Sequence, residues 1–160
     1  MESTFRQKLA SGEFVLGTML SEVSTPNIAR IMHVCGFEFI IIDCEHGYFD
    51  LAQVAAIVAV CQGIVLPVII RIPAAGRELI TKYMDMGATG LLLPMTSTQE
   101  QAKELVKYAK YPPLGQRGLS VQRAHTNYNP PPLRQYMEDA NRRTVLFAQI
   151  ETREGIENIE

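Results

Sequence analysis

Short apolar runs alternate with longer amphipathic stretches along this 160-residue chain. The apolar runs are rich in Val, Ile and Leu, and they predict five strands at residues 14–20, 37–43, 65–72, 89–94 and 144–151. The first four runs begin about 25 residues apart. Because apolar and polar residues barely alternate within a run, these strands are typical of a parallel sheet that is buried on both faces by helices.

The stretches between the runs predict helices at residues 24–36, 50–63, 76–88 and 96–111, and a further helix start at 152–160. Residues that favour helix ends accompany these stretches. The predicted N-caps are Ser24 or Thr25 (followed by Pro26), Asp50, and Ser97 or Thr98, and the predicted stops are Gly36 and Gly63.

Repeated βα units predict an α/β fold, either a doubly wound open sheet or a (β/α)8 barrel of the TIM type. No glycine-rich fingerprint follows the first strand, and polar residues follow several different strands, so the barrel is favoured. A complete barrel takes about 250 residues. We therefore expect residues 1–160 to form a single, incomplete barrel domain with about the first five βα units.

Residues 111–143 interrupt this rhythm with five prolines and a "GQRG" turn, before a short helix predicted from Leu133 to about Asn141. Insertions of this length are commonly lids, subunit contacts or walls of active sites. A solvated excursion is the alternative interpretation.

Composition narrows the possible partners and the compartment. The 15 basic and 17 acidic residues form no basic stripe, so neither nucleic acid nor a membrane is expected as a partner. The first 14 residues lack an apolar leader segment, and no apolar run approaches the ~20 residues that span a bilayer. Cys35, Cys44 and Cys61 lack paired spacing and predict free thiols in a reducing compartment, hence the cytoplasm.

In a parallel barrel the carboxyl ends of the strands converge on one mouth, where active sites lie. The residues predicted there are Asp43, Glu45, His46, Arg71, Pro94, Gln149 and Glu151. Each also has a structural interpretation: the histidine is solvated, the arginine pairs with a loop carboxylate, and Glu151 favours a helix start. His33 and His125 have no such placement and are predicted to be structural or surface residues.

The chain resembles the HpcH/HpaI aldolase family, the class II pyruvate aldolases represented by 4-hydroxy-2-oxoheptanedioate aldolase. The similarity covers essentially the whole chain and is most specific in its "DxEHG" and "QIET" pieces. The matching stretches are "GFEFIIIDCEHG" (36–47), "PVIIRIP" (67–73), "MDMGATGLLLPM" (84–95), "YPPLGQRG" (111–118) and "QIETREGIENI" (149–159).

The resemblance implies a role for five residues. His46 matches the catalytic acid/base, Arg71 the arginine that stabilises the enolate and holds the substrate, and Gln149 a substrate contact. Glu151 matches one of two metal carboxylates, and Asp85 an aspartate that raises the basicity of the histidine. Because Asp85 is predicted at the far end of its helix, it would reach His46 only from a neighbouring subunit, which implies a homo-oligomer, a hexamer in this family.

The reaction implied is metal-dependent aldol cleavage or condensation of 4-hydroxy-2-oxo acids, giving pyruvate and an aldehyde through a metal-bound pyruvate enolate. Mg²⁺ or Mn²⁺ is the expected ion, with Co²⁺ as a further candidate. No lysine stands at a predicted strand end to form a Schiff base, which favours the metal route.

One departure from the family pattern affects this expectation. The family's second metal carboxylate lies on a "GPxDL"-like segment after the next strand, and residues 1–160 contain no such segment. We therefore expect the isolated chain to have little or no activity. The alternatives are a non-catalytic fragment of such an enzyme, and a related lyase or carbon–carbon bond-forming enzyme that uses enolpyruvate.

Overall fold

The structure, a computed structural model, describes residues 5–159 and is built on one five-stranded parallel sheet. The strands are β1 (Gly17–Leu20), β2 (Phe39–Asp43), β3 (Val68–Arg71), β4 (Gly90–Leu93) and β5 (Val145–Ala148). Each strand pairs with the next one along the chain, in the order β1-β2-β3-β4-β5. This sequential order is that of a barrel and not of a doubly wound sheet, so the predicted fold class is confirmed.

Seven helices and one 3-10 turn occur among the described residues. They are α1 (Phe5–Ser11), α2 (Ile28–Val34), α3 (Leu51–Gly63), α4 (Arg77–Met86), α5 (Gln99–Ala109), the 3-10 turn (Ala124–Thr126), α6 (Leu133–Arg143) and α7 (Arg153–Glu157). The apolar pattern predicted neither α1 nor the 3-10 turn, because each is too short to show a helical period. The predicted last helix also included Glu160, which lies outside the described residues.

Two of the predicted helix caps are confirmed and one is wrong. Asp50 and Thr98 each cap a helix with a reciprocal capping box, because both have a glutamine three residues later. Helix α2 begins only at Ile28, and no side chain of the described residues caps it. The backbone carbonyl of Thr25 accepts the Ile28 N–H at 3.0 Å, so the backbone closes the turn that Ser24 or Thr25 was predicted to cap.

The two faces of the sheet are buried to different degrees. Helices cover the outer face, where Ile40, Ile42 and Ile70 are fully buried. On the inner face a smaller cluster forms around Ile69, with Phe5 of α1 packed on Phe39 at a ring distance of 5.2 Å. Burial on both faces was predicted for every strand, but Met19 remains 40% exposed, because five strands do not close around an interior.

The segment 111–143 packs against the rest of the chain and is not a solvated excursion, since Arg117 pairs with Asp85 of α4 at 2.7 Å and Gln62 Nε2 of α3 donates to the Ala124 carbonyl at 3.4 Å. Contacts within the segment also hold it together. Tyr111 and Tyr136 are buried against each other with ring centroids 5.9 Å apart. The side chain of Asn141 pairs with both backbone groups of Tyr111, at 2.8 and 2.9 Å.

Among residues 5–159, no helix is long and apolar enough to cross a membrane.

Candidate active site

The carboxyl ends of β2 and β3 place a carboxylate and a guanidinium side by side. Asp43 and Arg71 are the last residues of these strands and are direct partners in the β2–β3 register. The Asp43 carboxylate accepts two hydrogen bonds from Arg71, from Nε at 2.9 Å and from Nη2 at 2.6 Å. Both side chains are largely buried, with 2% of Asp43 and 12% of Arg71 exposed. This largely buried pair lies at the carboxyl end of the sheet, where the mouth begins.

The loop after β2 brings Glu45 and His46 to the same place. The Oε2 atom of Glu45 lies 3.3 Å from Nη1 of Arg71 and 3.7 Å from Nε2 of His46. The His46 side chain is 74% exposed at the mouth. Gly47 follows with its backbone pressed against the chain, because a Cβ there would lie 2.1 Å from the Asp43 carbonyl oxygen. We call Asp43, Glu45, His46 and Arg71 the strand-end cluster.

Gln149 and Glu151 follow β5 and lie at the mouth beside this cluster. Gln149 Nε2 donates to Glu151 Oε1 at 2.8 Å, and the backbone N–H of Met95 donates to Glu151 Oε2 at 2.9 Å. Met95 holds this position with a positive φ of 51°, which is uncommon for a residue other than glycine. Gln149 Oε1 is buried and has no hydrogen-bond partner among the described residues.

The Arg71 guanidinium at the mouth is surrounded by three carboxylates, those of Asp43, Glu45 and Glu151. The hydrogen bonds to Asp43, together with the nearby charges of Asp43, Glu45 and Glu151, raise the pKa of Arg71. Burial by itself would raise the pKa of Asp43, but the hydrogen bonds from Arg71 and from the backbone N–H groups of His46 and Glu45 lower it overall. The pair is therefore ionised at neutral pH.

Asp85 lies in a different part of the chain from the other predicted site residues. It is on the last turn of α4, at the amino end of the sheet, where its Oδ1 accepts from Arg117 Nη2 at 2.7 Å. His125 Nε2 lies 3.5 Å from the same oxygen. Within residues 5–159, no contact joins Asp85 to His46. We call Asp85, Arg117 and His125 the amino-end cluster.

His125 is held in this cluster as a buried neutral side chain. Only 3% of it is exposed, and its ring lies against that of Tyr136. Burial, followed by the nearby charge of Arg117, lowers the pKa of His125 to about 4. The prediction that His125 is structural or on the surface is thereby resolved in favour of a structural residue.

The described residues do not form a metal site by themselves. Among residues 5–159, no group of three or more His, Cys, Asp or Glu side chains could hold a metal ion. Glu151 supplies one carboxylate, and both of its oxygens already accept hydrogen bonds from Gln149 and Met95. An ion such as Mg²⁺ takes about six oxygen ligands, so this donor set is incomplete.

Sequence reasoning placed Asp43 and Glu45 at the mouth without assigning either a role, and it missed one contact. Both carboxylates contact Arg71, which agrees with the interpretation that this arginine pairs with a loop carboxylate. The apolar pattern placed Asp43 at the end of β2, but its pairing with Arg71 depends on the register of β2 against β3, which that pattern does not determine. No sequence signal marked the backbone of Met95 as a partner of Glu151.

The sequential parallel sheet and the cluster at its carboxyl end place this chain among the (β/α)-barrel proteins. More specifically, it belongs to the HpcH/HpaI aldolase/citrate lyase family, whose sequence profile matches residues 18–160. The family resemblance found in the sequence is thus confirmed.

Named relatives agree with this assignment. A hydroxypyruvate/pyruvate aldolase from Roseovarius nubinhibens is 33% identical over 99% of this chain and 61% of its own length. A 4-hydroxy-2-oxovalerate aldolase from Novosphingobium aromaticivorans is 37% identical over 99% of this chain and 59% of its own. The crystal structure of an HpcH/HpaI aldolase from Desulfitobacterium hafniense DCB-2 superposes with a TM-score of 0.93, at 33% identity over 99% of this chain and 61% of that one. The chain thus spans about 60% of the length of these relatives.

Proposed function

We propose that this chain carries the pyruvate-binding and proton-transfer part of an aldolase site. The proposed reaction is the aldol cleavage of a 4-hydroxy-2-oxo acid into pyruvate and an aldehyde, or the reverse condensation of these two. The observation that carries the proposal is the fixed guanidinium of Arg71 at the mouth of the sheet. The names of the aldolase relatives support the same reaction class.

Arg71 is suited to hold an oxyanion that develops during the reaction. A guanidinium has five N–H donors, and Asp43 accepts from two of its nitrogens. The raised pKa of Arg71 keeps it charged. In the proposed reaction its remaining donors bind the oxygen at C2 of the oxo acid, where negative charge collects as the enolate forms. Preorganised donors of this kind contribute much of the rate acceleration in such sites.

His46 is the candidate for moving the proton. An imidazole has one nitrogen that can accept a proton and, when protonated, two that can donate one, which is why histidine is the commonest general acid or base in enzymes. Its ring is exposed at the mouth, and Glu45 lies between it and Arg71. We propose that His46 exchanges a proton with the substrate while Arg71 holds the enolate oxygen, and that Gln149 contacts the substrate from the side of β5.

The positions of the lysines support a divalent metal and not a Schiff base as the group that stabilises the enolate. All five lysines lie in the described part of the chain, and each contacts a group away from the mouth. Their contacts are Lys8–Glu38, Lys82–Glu78, Lys103–Gln99, Lys107 over the Tyr108 ring, and Lys110 with the carbonyls of Asn141 and Thr144. We propose that Mg²⁺ or Mn²⁺ takes part, with Glu151 as the ligand from this chain.

We propose that Asp85 of one subunit raises the basicity of His46 in a neighbouring subunit. It faces away from its own mouth, so any action on the proton chemistry of His46 would require another copy of the chain. A homo-oligomer is therefore part of the proposal, and a single-chain mass by light scattering under assay conditions would contradict it.

The test of the proposed function is the binding of oxalate, a stable planar analogue of the pyruvate enolate, in the presence of Mg²⁺. Calorimetry with the full chain is expected to show binding that Arg71→Gln weakens by about 100-fold, because a charge-assisted contact is lost. Loss of the methyl proton signal of pyruvate in D₂O measures proton exchange, and this exchange is expected to be slow or absent in the chain alone, because its metal donor set is incomplete.

Arg153→Gln is the matched control, since Arg153 lies just beyond Glu151 but is 92% exposed and pairs with Glu157. If oxalate binding depends on Arg153 as much as on Arg71, or on neither, the assignment of Arg71 is wrong.

A further inference from the structure

Asp43 accepts more hydrogen bonds than its ion pair with Arg71 accounts for. It is the last residue of β2, it is 2% exposed, and its hydrogen-bond partners among residues 5–159 lie on two segments, β3 and residues 45–46. Its Oδ2 atom accepts from Arg71 Nη2. Its Oδ1 atom accepts three hydrogen bonds: from Arg71 Nε at 2.9 Å, from the Glu45 backbone N–H at 3.0 Å and from the His46 backbone N–H at 3.2 Å.

The chemistry of these four contacts requires a carboxylate of this length. All four partners are donors, and only an ionised carboxylate offers acceptors at both of its terminal atoms. An amide in the same place would turn one terminus into a donor, which would face either the guanidinium or the two backbone N–H groups. A glutamate would carry its carboxylate one methylene further out, away from the backbone N–H groups of its own loop.

The geometry of Gly47 shows that the loop is folded tightly back over Asp43. A Cβ at Gly47 would lie 2.1 Å from the Asp43 carbonyl oxygen and 2.7 Å from that of Ser21. The following residue, Tyr48, donates its backbone N–H to Ser21 at 3.2 Å. The loop that carries His46 is thus fixed at one end by the backbone and at the other by the Asp43 side chain.

We infer that Asp43 is a positioning residue that holds Arg71 and the loop bearing His46 as a single unit. This inference rests on the proposed function for its catalytic meaning, but its structural content does not depend on it. Asp43 touches neither the proposed substrate nor the reacting atoms, and it acts through the two residues that do. When Asp43 is replaced, the guanidinium and the imidazole lose their common support together.

The first test uses the unaltered chain. Hydrogen exchange by NMR compares the Arg71 Nε–H with the backbone amides of Glu45 and His46. If one carboxylate holds all three, a single opening event exposes them, and their protection factors agree within about threefold. If the Arg71 Nε–H exchanges independently of the two loop amides, the three groups do not form one unit and the inference is overturned.

The second test is a double-mutant cycle on oxalate binding with Mg²⁺. Asp43→Asn is expected to weaken oxalate binding by about tenfold or more, because small errors of position at such sites are costly. When Asp43→Asn is combined with Arg71→Gln, the affinity for oxalate should fall little further than in Arg71→Gln alone, because Asp43 acts through Arg71. Independent, multiplying effects of the two substitutions would overturn the inference.

Asp50→Ala is the matched control. Asp50 also accepts a backbone N–H with its carboxylate, from Gln53 at 2.8 Å, but within residues 5–159 it pairs with no arginine and acts as the cap of α3. Its replacement should lower the melting temperature and leave oxalate affinity unchanged. If the unaltered chain fails to bind oxalate at all, the proposed function fails, while the hydrogen-exchange comparison still decides whether Asp43 couples Arg71 to the loop.

Discussion

The two ends of the five-stranded sheet each hold a buried arginine–carboxylate pair, but the surroundings of the two pairs differ. At the carboxyl end, Arg71 and Asp43 are joined at 2.6 Å beside an open mouth with two further carboxylates, Glu45 and Glu151. At the amino end, Arg117 and Asp85 are joined at 2.7 Å, with the Arg117 guanidinium 4.7 Å from the centre of the Tyr111 ring.

The histidines of the two clusters show the same contrast. The His46 side chain is 74% exposed, whereas that of His125 is 3% exposed and lies against Tyr136. Similar residue types therefore serve different purposes. In the proposed function the strand-end cluster presents an imidazole and spare guanidinium donors to a ligand, while the amino-end cluster fastens segment 111–143 to helix α4 within the same chain.

The largest expected effect comes from breaking the amino-end pair with Arg117→Met. This change leaves the carboxylate of Asp85 without its cation and removes the contact with Tyr111, so the free energy of unfolding should fall by about 3 kcal/mol. Urea denaturation measures the loss. Oxalate affinity at the mouth should be unchanged in the protein that remains folded.

Arg142→Met provides the comparison for Arg117→Met. Arg142 is an exposed arginine paired with Asp139 on the same helix, and its loss should cost less than about 0.5 kcal/mol. Equal losses for the two substitutions, or a loss of oxalate binding in Arg117→Met, would contradict the division of roles between the two ends.

A smaller effect is expected from the pH dependence that His125 gives the fold. Its pKa is about 4 in the folded chain and about 6.5 when unfolded, so between these values the unfolded chain binds a proton that the folded chain does not. Stability is therefore lost as the pH falls from about 6.5 to 4. His125→Phe, which preserves a ring against Tyr136, should remove about 2 kcal/mol of this dependence.

The measurement is the difference in unfolding free energy between His125→Phe and the unaltered chain across that pH range. His33→Gln is the control for the loss of a histidine from the surface, because His33 is exposed. A pH profile of His125→Phe that runs parallel to that of the unaltered chain would mean that His125 is not held neutral by burial.

The strand-end cluster could be predicted from sequence because its placement follows from a general property of parallel sheets. Val, Ile and Leu runs located β2 and β3, and the polar residues directly after them had to meet at one edge. The hydrogen bonds could not be predicted in the same way, since they depend on the register of β2 against β3. That register makes Asp43 and Arg71 direct partners, and the apolar pattern does not determine it.

The amino-end cluster was beyond sequence reasoning for a different reason. Arg117 and His125 lie in a segment without periodicity, so nothing in the pattern indicated that Arg117 would pair with Asp85 on α4. The prediction that Asp85 points away from its own mouth needed only the direction of a helix after a parallel strand. Its partners needed the tertiary structure.

The proposed division between a ligand-binding end and a structural end is tested most directly by mapping where oxalate binds. A titration of the ¹⁵N-labelled chain with oxalate in the presence of Mg²⁺, followed by ¹H–¹⁵N correlation spectra, reports on both ends at once. The expected result is saturable shifts in the amides of Glu45, His46 and Glu151, with those of Arg117 and His125 unmoved. Shifts confined to the amino-end cluster, or no saturable shift at the strand ends, would contradict the account.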